Sequence, residues 1–177
     1  MLKKIKSFLL LNKLIVWLGL VYFIVFGFAV IYGFFTHNER IPNLQPGNNF
    51  SFVDIFSNNM LVSLSMLGIG SLTGGMMSAI ILFYNGYLIG KLLQYLDLHD
   101  QWLSFWTGLV PHAVLEIPGL LIFSIISTYP FILIYGFLKG LQVDIKHTVK
   151  LLLRLAALGI VLLLLASLVE DYVSFVH

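Results

Sequence analysis

The feature that most constrains the fold is the run from Leu14 to Phe35, which contains no charged side chain. The hydrocarbon core of a bilayer requires a helix of about 20 mostly apolar residues, and this run is long enough. Only 10% of all residues are charged and 59% are hydrophobic, so a water-soluble core could not bury the apolar surplus. The chain is therefore predicted to be an integral membrane protein that retains this run as its first transmembrane helix.

The rest of the sequence provides apolar stretches for about four more spans. A second helix is predicted from Met60 to Gly90, and it contains glycines that favour a bend or a break. The segment 102–138 has no lysine or arginine and is long enough for two helices with little loop. A kinked or broken helix is predicted at residues 111–119, where two prolines occur, and Ser127–Pro130 is a second candidate turn. The last helix is predicted over Leu151–Val169.

These spans predict an all-α fold, a polytopic membrane helix bundle of about five transmembrane helices with the N-terminus inside. Residues 1–177 form a single transmembrane domain, and the predicted location is the cell membrane as a multi-pass protein. This arrangement puts nine of the ten basic residues on the inner side and only Arg40 outside. A hairpin in place of the second helix would exchange the sides of the later loops and weaken that bias.

Ionisable residues inside a membrane are costly, and they therefore mark candidate functional sites. His112 and Glu116 are four residues apart, which makes them neighbours on one face of a helix. Counted at 1.5 Å per residue from the start of their segment, they lie about 15 and 21 Å into the bilayer. Glu170 near the end of the last helix and Asn59 near the start of the second are predicted to join them in the mid-to-outer membrane. Asn85 is predicted to lie nearer the inner side.

Three roles are open for this intramembrane polar site. The histidine and carboxylate could satisfy backbone groups that the prolines leave unpaired. They could handle a proton, or hold a divalent metal such as zinc with Glu170 as the third ligand, because histidine and carboxylates suit zinc and manganese. The motifs HExxH, GxSxG and Walker A are absent, and the chain has no cysteine, so no enzyme is predicted.

The stretch GIGSLTGGMMSA places small residues at helical spacing, a pattern that lets helices approach closely. The predicted helix-packing residues are Gly70, Gly74 and Gly75, together with Pro111 and Pro118 in the later element. Packing inside one subunit and formation of a homodimer are both open.

Four stretches in the same order resemble the stage II sporulation protein M family. They are IFSNNMLVSLSMLGIGSLTGG, FYNGYLIG, PHAVLEIPG and LLASLVEDYV, and together they extend over about residues 50 to 175. The chain departs from the family pattern at Ala113 and Gly119, where one small residue replaces another. The matching positions are Asn59, Asn85, Gly86, Gly90, Pro111, His112, Glu116, Pro118 and Glu170.

The resemblance implies a non-enzymatic membrane scaffold that organises partner proteins, such as cell-wall hydrolases, at the membrane. Some short relatives accompany circular-bacteriocin genes, which implies an alternative role as a transporter-like component of bacteriocin export or immunity. The predicted partners are the lipid bilayer and other membrane or cell-wall proteins, and nothing in the sequence indicates a nucleic acid.

Overall fold

The computed structural model of the protein describes residues 2–36, 51–141 and 143–176, and no strand occurs in these ranges. Five of its helical stretches are long and apolar enough to cross a membrane, which confirms the predicted number of spans. The elements are α1 (Leu2–Phe35), α2 (Phe52–Ser65) with a π-helical segment (Met66–Gly70), α3 (Met76–Leu98), α4 (Trp102–Ser104), a second π-helical segment (Phe105–Leu109), α5 (Val110–Leu138) and α6 (Ile145–Val176).

The predicted single helix from Met60 to Gly90 is wrong, because the chain reverses there. Gly74 and Gly75 have φ angles of 64° and 91°, a left-handed backbone that glycine adopts at little cost. The result is a hairpin of α2, its π-helical segment and α3. Helix α2 begins earlier than predicted, at a capping box in which the Asp54 side chain accepts from the Ser51 backbone N–H at 3.1 Å.

The segment 102–138 forms one long span and not two. Helix α5 continues without a break through Pro118 and Pro130, so the chain does not turn at either predicted position. The irregularity precedes Pro111, in the π-helical segment Phe105–Leu109. Transmembrane helices tolerate proline because neighbouring helices and local adjustments satisfy the freed carbonyl groups.

These two differences compensate in the membrane topology. Compared with the prediction, the hairpin adds one membrane crossing and the segment 102–138 has one fewer, so the number of spans stays at five. Helix α5 therefore begins on the side of the membrane where α3 ends. Eight of the nine basic residues in the described ranges lie towards one side, which the positive-inside rule assigns to the cytoplasm. Lys91 is the one that moves to the outer side. Helices α1, α3 and α6 finish at one end of the bundle, and α2 and α5 begin at that same end. We call it the outer end.

Helices α1 and α3 run parallel and in close contact. A Cβ at Gly86 would lie 2.7 Å from the Phe26 carbonyl oxygen, and a Cβ at Gly90 would lie 2.8 Å from the Phe34 nitrogen. Glycine at both positions therefore allows the two backbones to touch. The Gly86–Gly90 pair is thus a GxxxG contact between α1 and α3, in addition to the close contacts that Gly70 and Gly74 make with α5.

The hairpin turn lies deep inside the bundle. The Tyr22 hydroxyl donates to the Gly75 carbonyl oxygen over 3.1 Å, and it contacts Thr128 Oγ1 of α5 at 2.5 Å. Tyr22 is 13 residues before the end of α1, so the turn is about 20 Å below that end. Gly70 is buried beside Ser127 at the same depth, and α5 and α6 pack antiparallel around the core residue Leu163.

Candidate functional site

The candidate site lies near the outer end, between α5 and α6. Gly119 faces Leu163, and Gly159 faces Phe123, which fixes the antiparallel register of the two helices. The same register brings the first turn of α5 opposite the last part of α6. His112 is thereby placed against Ala166, whose carbonyl oxygen is 3.4 Å from His112 Nδ1.

His112 contacts one carboxylate on each side of its ring. Its Nε2 is 2.6 Å from Glu116 Oε2, and its Nδ1 is 3.2 Å from Glu170 Oε2. The side chains of His112 and Glu116 are each 13% exposed, whereas that of Glu170 is 40% exposed. We call these three residues the triad. It leads from the more exposed carboxylate of Glu170 through an imidazole to the partly buried carboxylate of Glu116.

The contacts define how many protons the triad holds. A ring nitrogen that faces a carboxylate oxygen needs one hydrogen between the two atoms, so the two contacts require two hydrogens. A doubly protonated ring with two carboxylates meets this requirement, and so does a neutral ring with one protonated carboxyl group. Both forms have a net charge of −1 and the same number of protons. They therefore interconvert by moving one hydrogen along a short bond.

The same geometry does not favour the metal site that the sequence suggested. Glu116 and Glu170 lie at different nitrogens on opposite edges of the His112 ring, so one ion cannot contact all three residues in this arrangement. Across the ranges described, no group of three or more histidine, cysteine or acidic side chains is arranged to hold a metal ion.

The two asparagines predicted for the site lie on two other helices, Asn59 on α2 and Asn85 on α3. Asn59 is buried on α2, which packs against α6, and its Nδ2 has no hydrogen-bond partner among the described residues. Asn85 lies on α3, not towards the inner side, and its Nδ2 donates to the Ile81 carbonyl oxygen of the same helix over 2.8 Å. Asn85 therefore belongs to the part of the bundle that contacts α1.

Comparison with known proteins identifies the family. The stage II sporulation protein M family matches residues 20–175. The chain belongs to this family. It is also 30% identical over 154 residues to an uncharacterized protein of Methanocaldococcus jannaschii, an overlap of 85% of this chain and 86% of that protein. No solved structure matches.

The positions that resemble the sporulation protein M pattern fall into two parts of the bundle. Glu116 and Glu170 meet at the imidazole of His112, and Gly86 and Gly90 make the close contact between α1 and α3. The predicted packing residues Gly74 and Gly75 form the hairpin turn, while Pro111 and Pro118 lie in the first turns of α5.

Sequence reasoning missed a buried lysine. Lys91 is 1% exposed, and its ammonium group donates to the Thr36 carbonyl oxygen at the end of α1 and to Gln94 Oε1 at 2.8 Å. A cation at a helix C-terminus interacts favourably with the helix dipole. In the sequence, Lys91 follows Gly90 and was therefore assigned to a loop on the inner side. Its role as a cap of the C-terminus of α1 follows only from the parallel packing of α1 and α3.

Proposed function

We propose that this membrane protein of the sporulation protein M family is a non-enzymatic scaffold that organises partner proteins, such as cell-wall hydrolases, at the outer side of the membrane. The observation that carries the proposal is the triad, in which both ring nitrogens of His112 are used by carboxylates of the same chain. Such a closed set of contacts stabilises a structure, whereas a catalytic centre presents a reactive group to a substrate.

The triad joins the outer ends of α5 and α6. Breaking a buried ion pair is strongly unfavourable because it leaves an uncompensated charge, so these ends are held in one arrangement. Next to them, the connection between α3 and α5 presents Trp102, Leu103 and Trp106, all exposed. Tryptophan is enriched in interface hot spots, and a fixed position lowers the entropy cost of binding. These features support a docking surface at the outer end.

The proposal is tested by site-specific photo-crosslinking in native membranes that contain a cell-wall hydrolase. A photoreactive amino acid replaces Trp106 at the outer end or, as the matched control, Trp17, which is exposed on α1 near the inner end. We expect the hydrolase to be recovered from position 106 and not from position 17. Recovery at both positions, or at neither, would refute the scaffold.

A second variant tests the role of the triad in the same assay. His112→Ala should remove the hydrolase crosslink at position 106 while the protein still inserts in the membrane. The control His99→Ala changes an exposed histidine that contacts its own helix, and it should leave the crosslink unchanged. A crosslink that survives His112→Ala would show that the triad does not hold the docking surface.

A further inference from the structure

Below the triad, a second group of polar side chains surrounds the hairpin turn. Ser78 Oγ and Ser127 Oγ are 2.6 Å apart, and the Tyr22 hydroxyl is 2.5 Å from Thr128 Oγ1. Ser124 is buried one turn above Ser127 and Thr128 on α5. Each of these hydroxyl groups can both donate and accept a hydrogen bond. We call these five residues the hydroxyl cluster.

An apolar gap on α5 separates the triad from this cluster. Glu116 and Ser124 are eight residues apart, about 12 Å along the helix, and Leu120 between them is buried and apolar. A polar connection between the two groups therefore needs side chains from another helix.

Helix α2 supplies polar side chains at these depths. Met66, just after α2, has its sulfur 3.5 Å from Ser124 Oγ, and Gly70 lies beside Ser127, so this part of the chain descends alongside α5. Counted upward from Met66, Ser63 lies about 4.5 Å and Asn59 about 10 Å above the level of Ser124. Both therefore fall between the depths of Ser124 and Glu116.

Asn59 and Ser63 are also the buried side chains that lack a partner. Their exposed fractions are 6% and 0%, and within the described ranges neither Asn59 Nδ2 nor Ser63 Oγ makes a hydrogen bond. An unpaired polar group costs several kcal/mol in hydrocarbon, and buried water normally satisfies such groups in proteins.

We propose that Asn59 and Ser63 hold buried water that links Glu116 to the hydroxyl cluster, and that this link completes a proton-exchange path from Glu170 at the outer end to the hairpin turn. This is a further function beside scaffolding and does not depend on it. In the form with a protonated Glu170 and a neutral ring that carries its hydrogen on Nε2, the Glu170 proton passes to His112 Nδ1 while Nε2 gives its proton to Glu116, so the ring stays neutral and the triad keeps two protons. Below Glu116, each water and hydroxyl accepts one hydrogen and releases another.

The titratable groups along the path are those of the triad and Tyr22. Helix α2 adds none, because its Asp54 is exposed and bonded to Ser51. Below Tyr22 an apolar cluster begins, in which Tyr129 and Ile132 pack against the inner part of α1. The chain of polar groups therefore reaches the outer end but does not continue below the turn. This arrangement suits a site that takes up protons from the outer side.

The test first asks whether water is present at the gap. X-ray radiolytic labelling in nanodiscs oxidises side chains next to bound water, and Met66 is a fully buried reporter beside the gap. We expect Met66 to be oxidised in the wild type and to lose this oxidation in Asn59→Leu/Ser63→Ala. The matched control Asn58→Leu/Ser65→Ala changes the same residue types at more exposed positions of α2 and should keep it.

The second measurement follows proton mobility at the far end of the path. Infrared spectroscopy, with Tyr22→Phe as the reference, reports deuterium exchange of the Tyr22 hydroxyl after transfer to heavy water. Exchange in Asn59→Leu/Ser63→Ala should be roughly tenfold slower than in the wild type, equivalent to about 1.4 kcal/mol of barrier. The single variant Ser63→Ala, which deletes only one hydroxyl, should also slow it.

Two results would overturn the inference. Absence of Met66 oxidation in the wild type would show that the gap is dry. Unchanged Tyr22 exchange in both variants would show that protons reach the turn by another way. The scaffold assay measures hydrolase crosslinks at position 106 and does not depend on the exchange rate of Tyr22. Either proposal can therefore be refuted without the other.

Discussion

The close contact of α1 and α3 predicts that alanine lowers the stability of the protein at Gly90 but not at Gly27. In Gly90→Ala, the three atoms nearest to the new Cβ would all be backbone atoms of α1: the Val30 carbonyl oxygen, the Phe34 nitrogen at 2.8 Å and Gly33 Cα at 3.0 Å. No rotamer change relieves such a clash, so the helices must separate. Overpacking costs about 1–3 kcal/mol, and backbone contact indicates the upper part of that range. Alanine regains up to about 1 kcal/mol of helix propensity.

The expected net loss for Gly90→Ala is therefore about 2 kcal/mol, or roughly 30-fold in the unfolding equilibrium constant. Gly27→Ala on α1 is the matched control, because a Cβ there meets nothing within 4 Å. It should be neutral or stabilising by up to about 1 kcal/mol. Unfolding in mixed detergent micelles, followed by tryptophan fluorescence, measures both. Equal stability of the two variants would refute the parallel α1–α3 contact.

Three further substitutions test other parts of the bundle by the same unfolding measurement. Lys91→Ala leaves the Thr36 carbonyl after α1 without its buried donor and should cost about 1–3 kcal/mol. Lys139→Ala, at an exposed position, should change stability by less than about 0.5 kcal/mol. Thr128→Val removes the hydroxyl that contacts Tyr22 of α1 and should cost about 0.6–1.7 kcal/mol. Thr107→Val, at an exposed position where the hydroxyl bonds to its own helix, should have little effect. His112→Ala leaves the partly buried carboxylate of Glu116 without its partner and should cost up to about 3–5 kcal/mol, and a loss below about 1 kcal/mol would contradict the triad.

The predicted number of spans is correct because two errors cancel, since apolar length alone did not show which of the segments 60–90 and 102–138 contains two crossings. Their limits depend on finer features. The pair Gly74–Gly75 in GIGSLTGG is typical of a turn, but glycines at this spacing are equally typical of helix packing. Only their positive φ angles show that they form a turn. Conversely, Pro118 and Pro130 suggested a break that α5 does not have, because a packed membrane helix tolerates proline.

The meeting of His112 and Glu170 could be anticipated for a simple reason. The short connection after α5 lies midway between them in sequence, so any antiparallel hairpin that turns there places them at one level. The assignment of each carboxylate to its own ring nitrogen could not be predicted, because it depends on how α5 and α6 are rotated about their axes. The burial of Lys91 was equally inaccessible, because it follows from contacts with a helix more than fifty residues earlier.

The two arms of the hairpin have different partners, and this affects the order in which the protein assembles. Helix α3 packs against α1, which is synthesised before it, whereas α2 packs against α6, which is synthesised after it. Until α6 emerges from the ribosome, α2 lacks its main partner helix in the bundle. Helix α2 therefore reaches its final position only after α6 has been synthesised, and a chain stopped before α6 should be cleared by membrane quality control.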